Sequence, residues 1–201
     1  MTDSIELPPD LPERLAVFSK EKTRFEGLGL HEQNLKPRPA AVLLPLIFRH
    51  EKWQLIYTLR SNKLNDHSGQ VSFPGGSCDP EDKDFVATAL REAWEEIGLD
   101  PKDVKVQGSL PSLKMVTRFI VTPVVGIVDW PVWLTINPDE VDRVFSVPLD
   151  WLANPENHSY RVHSHDGEDF NIPYFQRYDG ELVWGATAMM TLDFLSVLRI
   201  K

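Results

Sequence analysis

The sequence predicts an α/β (α+β) domain in which a mixed central β-sheet is packed between helices. Three observations predict it. Apolar runs of strand length, such as Ala40 to Phe48 and Phe119 to Val128, recur along the chain between polar turns. Between them, Val86, Leu90, Ala93 and Ile97 recur at helical spacing. A second helical stretch, Ala186 to Leu198, follows the last strand signal. Strands with one central and one terminal helix make a layered mixed domain. The 201 residues, 42% hydrophobic and 25% charged, suffice for one such domain with its own core.

In chain order, residues 1–37 read as an N-terminal extension, partly helical, and 38–201 as the main domain. Leu11 to Lys20 forms a short helix that docks through Leu15, Val17 and Phe18. Lys36-Pro37-Arg38-Pro39 reads as a linker, because two prolines leave it rigid and short of donors. Ala40 to Phe48 and Trp53 to Arg60 read as strands joined by the turn Arg49-His50-Glu51-Lys52. Residues 61–70 form a loop that delivers Val71-Ser72-Phe73 and the turn Pro74-Gly75-Gly76. The central helix runs from about Asp84 to Ile97, with Asp82 or Asp84 as cap and Gly98 as stop. Val104 to Leu110 and Phe119 to Val128 follow as strands, and Asn137-Pro138-Asp139-Glu140 as a turn leading to Phe145-Ser146-Val147-Pro148. Leu149 to Ala153 reads as a helical turn. Tyr160 to His165 and Phe170 to Phe175 read as a hairpin closed by Asp166-Gly167. A last strand is expected near Leu182-Val183-Trp184.

Charge and composition narrow the partners. A formal net charge of −9 argues against nucleic acid polymers and anionic membranes, which need a basic footprint. It leaves room for a small anionic substrate held by local arginines or metal. Cys78, the sole cysteine, rules out an internal disulfide and fits a reducing compartment. The polar, acidic N-terminus has no signal-peptide core, no apolar run spans a bilayer, and the final Leu-Arg-Ile-Lys is not a peroxisomal address. A cytoplasmic location is the expectation. A homodimer is compatible with all of this.

The central helix carries the chemistry. Glu92, Glu95 and Glu96 crowd into little more than one turn and span about 100° of its surface. Like charges this close cost roughly 0.2–0.5 kcal/mol per pair, which a divalent cation would offset. Carboxylates are the right ligands for Mg²⁺ or Mn²⁺, and Glu92 and Glu96 are one turn apart with Glu95 beside them. Arg91 can orient a carboxylate by a charge-assisted pair.

These residues resemble a known family. Gly76, the acidic loop and Arg91-Glu92-Ala93-Trp94-Glu95-Glu96-Ile97-Gly98-Leu99 are similar to the Nudix box, Gx5Ex7REUxEExGU, where U is aliphatic. The second half matches in full. In the first half, five residues after Gly76 lead to Asp82 rather than glutamate, and the loop is one residue longer. In the family that glutamate partners the box arginine, a role open here to Asp82 or Asp84. Leu59-Arg60-Ser61 and Gly69-Gln70-Val71-Ser72-Phe73-Pro74-Gly75-Gly76 resemble the signature of the coenzyme A diphosphatase branch, with Asn65 where that signature has arginine. Asn137 to Val141 and Val183 to Ala188 are similar to later segments of that branch.

The resemblance implies a Nudix-like fold and hydrolysis of the diphosphate of coenzyme A or a related nucleotide, with Mg²⁺ or Mn²⁺. It implies Glu92, Glu95, Glu96 and the Gly76 carbonyl as metal ligands. Arg91, Glu95 and Glu96 stand as catalytic residues, with Glu140 as a candidate distal ligand or base. Arg60, His67, Gln70 and Gly75 are the candidate substrate contacts, and Arg118 is a lesser one. Asn65 keeps open another nucleoside diphosphate derivative, such as a dinucleotide or nucleotide sugar. A noncatalytic nucleotide-binding module is the alternative of another class. Cys78 has no neighbours that mark a catalytic thiolate, and Trp94 reads as packing at the helix edge.

Overall fold

The computed structural model describes residues 5–21, 37–64, 67–115, 119–165 and 168–199. Asn65, Arg118 and the Asp166-Gly167 turn lie outside these residues. Helix α1 (Leu11–Glu21) comes first, followed by the hairpin of β1 (Arg38–Arg49) and β2 (Lys52–Arg60). The hairpin is paired from Leu46↔Leu55 to Arg49↔Lys52. Its turn residues His50 and Glu51 both have positive φ, the geometry whose twist matches the strands.

Away from the turn the two strands part, and residues 71–77 enter the fork. β3 (Val71–Ser72) pairs with β2, β4 (Gly75–Ser77) pairs with β1, and the Pro74 carbonyl accepts the Leu43 N–H at 2.8 Å. This wedge aims the glycine turn at helix α2 (Phe85–Ile97). β5 (Val104–Ser109) and β6 (Leu113–Lys114) pair antiparallel with β7 (Phe119–Val128), which lies parallel to β1. β8 (Val141–Pro148) lines the other edge of β2. Helix α3 (Leu149–Ala153), the hairpin β9 (His158–His165) with β10 (Glu168–Phe175), and helix α4 (Gly185–Arg199) complete the described chain.

The two-residue period of a strand assigns β1 to two layers. Ala41, Leu43 and Ile47 pack with Ala89, Ala93 and Ile97 of α2. Leu44 and Leu46 belong to the opposite cluster, with Leu15 of α1 and Phe194 and Val197 of α4. The alanines let α2 approach the sheet closely, whereas the other layer is filled by large side chains. Tyr57 is fully buried there, stacked on Phe73 and Phe145 at 4.7 and 5.7 Å between centroids. Its hydroxyl lies 3.0 Å from Thr191 Oγ1, and burial pushes its pKa well above the usual phenol range. The mixed sheet between helices is the fold class the sequence predicts.

Three local expectations are corrected. Arg38 and Pro39 belong to β1, opposite Phe119 and Ile120, rather than to a linker. Proline lacks only the donor, and the Pro39 carbonyl accepts the Cys78 N–H at 3.0 Å. Val17 is 48% exposed, because the buried stripe of α1 is Leu11, Leu15 and Phe18. Leu182-Val183-Trp184 is not a strand. Glu181 and Trp184 make single bridges to Tyr178 and Tyr174, and four residues between the turn at Asp179-Gly180 and the start of α4 allow no more.

Candidate active site

Two neighbouring glycines open the site for different reasons. Gly75 has φ +157°, and a Cβ there would stand 2.4 Å from the Ala41 carbonyl oxygen and 2.5 Å from Val42 Cα. Only glycine lets the turn sit this close to β1. A Cβ on Gly76 would instead fall 2.6 Å from the Glu92 carboxyl atoms. The space a side chain would take is occupied by the first glutamate of α2.

Helix α2 begins and ends where its caps require. The Asp84 carboxylate accepts the Ala87 N–H at 2.8 Å, and Gly98 stops the helix with φ +68°. With Asp84 taken as cap, Asp82 becomes the partner of Arg91. Arg91 Nε and Nη2 donate to the two Asp82 oxygens at 3.1 and 2.9 Å. Asp82 also accepts from Thr88 Oγ1 and the Asp79 N–H, both at 2.9 Å. The Arg91 guanidinium holds the Asp82 carboxyl well below the usual carboxylate range. Arg91 then spends its remaining donors on the Ser77 carbonyl at 3.0 Å, Glu92 Oε1 at 2.9 Å and Glu95 Oε2 at 3.0 Å.

Glu96 is the buried member, its side chain only 4% exposed. One oxygen accepts the Gly75 N–H at 3.3 Å, and the other lies 3.9 Å from Arg60 Nη1. Burial pushes its pKa up to about 8; Glu92 and Glu140 add to the rise, and Arg60 and the Gly75 N–H oppose it. Burial also raises Glu92, with Arg91 opposing and Glu95 and Glu140 adding to the rise. Glu95 is half exposed and is held by Arg91 alone among the described residues. Trp94 is 53% exposed rather than packed at the helix edge.

Arg60 brings the substrate-side candidates to the same place. Its backbone pairs with Gln70 and Gly69, both at 3.0 Å, so the loop returns beside it. His67 Nδ1 lies 3.0 Å from Gln70 Oε1, with His67 exposed and Gln70 half-buried. Arg60 Nε is buried and has no hydrogen-bond partner among the described residues. Glu140 is brought in by the turn over residues 137–140, whose last carbonyl accepts the Ser61 N–H at 2.8 Å.

Asp82 was one of two open partners in the sequence, but Ser61 and Asn137 as supports of Glu140 were missed. Their contacts reach across the fold, and only the three-residue spacing of Asn137 and Glu140 gave a local signal.

Among the described residues, no three acidic, histidine or cysteine side chains converge on one point, because Arg91 draws Glu92 and Glu95 to itself. The donor set nevertheless fits a hard divalent cation. It is all oxygen, and positive charge would relieve the burial, and the like charges beside it, that raise Glu92 and Glu96.

Residues 36–165 match the NUDIX domain family. The chain is 37% identical over 191 residues to the peroxisomal coenzyme A diphosphatase NUDT7 of Mus musculus, covering 92% of this chain and 81% of that relative. It is 43% identical over 151 residues to the Nudix hydrolase NudL of Photorhabdus laumondii, covering 75% and 80%. The solved Nudix hydrolase RenU of M. smegmatis aligns at a TM-score of 0.49 and 17% identity, over 59% of this chain and 75% of that one. Together with the family match along most of its length, the two sequence relatives show that the chain belongs to the Nudix hydrolases, enzymes that cleave phosphorus-containing anhydrides and generally work with divalent metal ions.

Proposed function

We propose that this Nudix hydrolase cleaves the diphosphate of coenzyme A or acyl-CoA, giving 3′,5′-ADP and 4′-phosphopantetheine or its acylated form. The observation that carries it is the meeting of Glu96, Arg60 and Glu92 at the Gly75–Gly76 turn, with Glu96 on the Gly75 N–H and Glu92 filling the space beside Gly76. The choice of substrate is supported by the Arg60-to-Gly76 signature and by the coenzyme A diphosphatase among the relatives. The reaction is expected in the cytoplasm; no described helix is long and apolar enough to cross a membrane.

Glu92, Glu95, Glu96 and the Gly76 carbonyl would hold the metal, Mg²⁺ or Mn²⁺. When bound, the ion offsets the charge of the diphosphate and acidifies water. Arg91, fixed by Asp82, keeps the glutamates on one side of α2. Arg60 presents a guanidinium with an unused buried donor, suited to a phosphoryl oxygen. Water adds to phosphorus, the P–O–P bridge breaks, and Glu140 takes the proton from the water. His67, Gln70 and the Gly75 turn shape the mouth through which the substrate enters.

Purified protein incubated with coenzyme A and either metal is expected to release the two named products, resolved by chromatography. Folded protein that leaves coenzyme A intact with both metals would sink the proposal. Asn65, in place of the signature arginine, favours one second reading: a dinucleotide or nucleotide sugar as the preferred diphosphate. A panel ranked by kcat/KM separates the two.

A further inference from the structure

Asn137 stands at the junction of three elements. Its N–H donates to the Glu96 carbonyl at 2.9 Å, tying the loop to the end of α2. Its Oδ1 accepts the Asp139 N–H at 3.1 Å, and its carbonyl accepts the N–H groups of Glu140 and Val141 at 3.1 and 2.8 Å. These bonds close the turn. The remaining donor, Nδ2, reaches Glu140 Oε1 at 3.1 Å. On the far side, the Ser61 N–H holds the Glu140 carbonyl at 2.8 Å, and Ser61 Oγ donates to the Pro138 carbonyl at 3.4 Å. The backbone of Glu140 is thus pinned to the residue that follows β2, and among the described residues its carboxylate is held by the Asn137 side chain.

We infer that Asn137 is a positioning residue for the hydrolytic reaction, which sets the direction of the Glu140 carboxylate toward the Glu92–Glu96 cluster. A carboxylate on a four-residue turn has free rotamers, and those that face solvent are useless to the site. The Asn137 N–H on the Glu96 carbonyl sets this turn against the end of α2, so Glu140 brings a further negative charge to the side where the glutamates lie. A neutral donor holds it inward without supplying a competing cation. The inference rests on the proposed active site.

The test uses the full chain and Asn137→Ser, Glu140→Gln and the double variant. The serine hydroxyl can still accept from the Asp139 N–H but is too short to reach the Glu140 carboxylate. With coenzyme A and Mn²⁺, Asn137→Ser should lower kcat at least about tenfold, with KM within about twofold and little change in Tm. In the Glu140→Gln background the same change should cost less than about threefold, because the two residues act as one unit. A readout independent of turnover is the Asn137 side-chain amide in a ¹H–¹⁵N spectrum without metal. One of its protons should be shifted downfield and slow to exchange, and Glu140→Ala, which removes the acceptor, should abolish both signs. The inference is overturned by Asn137→Ser kinetics like those of the wild type, by an additive double variant, or by an amide indifferent to Glu140. Wild-type protein inactive on every diphosphate of the panel overturns the functional reading itself, and the inference falls with it.

Discussion

Arg91 and Glu96 are little more than one turn apart on α2, yet the regions around them are opposite in kind. Around Arg91 the charges alternate in sign and the hydrogen bonds are complete: two Asp82 oxygens, a backbone carbonyl and two glutamates surround one guanidinium. Around Glu96 the neighbours Glu92 and Glu140 repeat its own sign, and Arg60 answers from 3.9 Å with a donor to spare. The first region lowers the pKa of its buried acid and the second raises it. One helix therefore carries a clamp that stabilises the fold and a pocket whose frustration suits a cation and a polyanion.

The contrast is most severely tested by Glu96→Gln. Turnover should fall at least about a thousandfold, roughly 4 kcal/mol of barrier, while the metal-free protein remains folded. A pH measurement sharpens the point. The folded pKa of Glu96 lies above its ordinary 4.5, at about 8, so its contribution to stability is complete below 4.5 and is lost as pH rises through about 8. The Tm of metal-free wild type should decline over that window, and the decline should shrink in Glu96→Gln or with saturating Mg²⁺.

Asp82→Asn probes the other region and should reverse the pattern. It leaves Arg91 with weaker partners and is expected to cost roughly 2–3 kcal/mol, or about 5–10 °C in Tm, more than any change in KM would suggest. The depressed pKa of Asp82 gives stability that is complete above the ordinary value of 3.8 and is lost as pH falls below it. Acid unfolding should therefore be less steep in the variant. The smallest effect is expected from Thr88→Val, which removes one buried donor to Asp82 and should cost about 1 kcal/mol in urea unfolding. A Thr88→Val loss equal to that of Asp82→Asn would mean that the clamp is packing rather than charge.

The legibility of the chain followed the range of the interactions. Helix α2 was readable through its periodicity and its Gly98 stop, which are local, while the cap stayed open between Asp82 and Asp84. The glutamates were readable as a set, since their spacing and the box pattern lie within one helix. What the spacing left open was which aspartate meets Arg91; the longer loop decides it by committing Asp84 to the cap. β6 was missed because two residues carry no alternation, and Pro39 was misassigned because its pairing partner lies beyond the helix. Asn137 reads as an ordinary turn residue, since its distant partner is the Glu96 carbonyl. The difference in role between Gly75 and Gly76 appears only once Val42 and Glu92 are in place.

The parallel register of β1 with β7 has a consequence for how the chain reaches this state. Joining Arg38 to Phe119 closes a long loop, and such non-local pairing comes late when a domain folds. Everything from the fork to α2 lies within that loop, while Asn137 and Glu140 lie beyond it. Glu140 therefore joins the α2 glutamates only through contacts that span the fold, such as the Asn137 N–H on the Glu96 carbonyl. A nascent chain can nucleate α2 around the Arg91 clamp without carrying the electrostatic strain of the finished site.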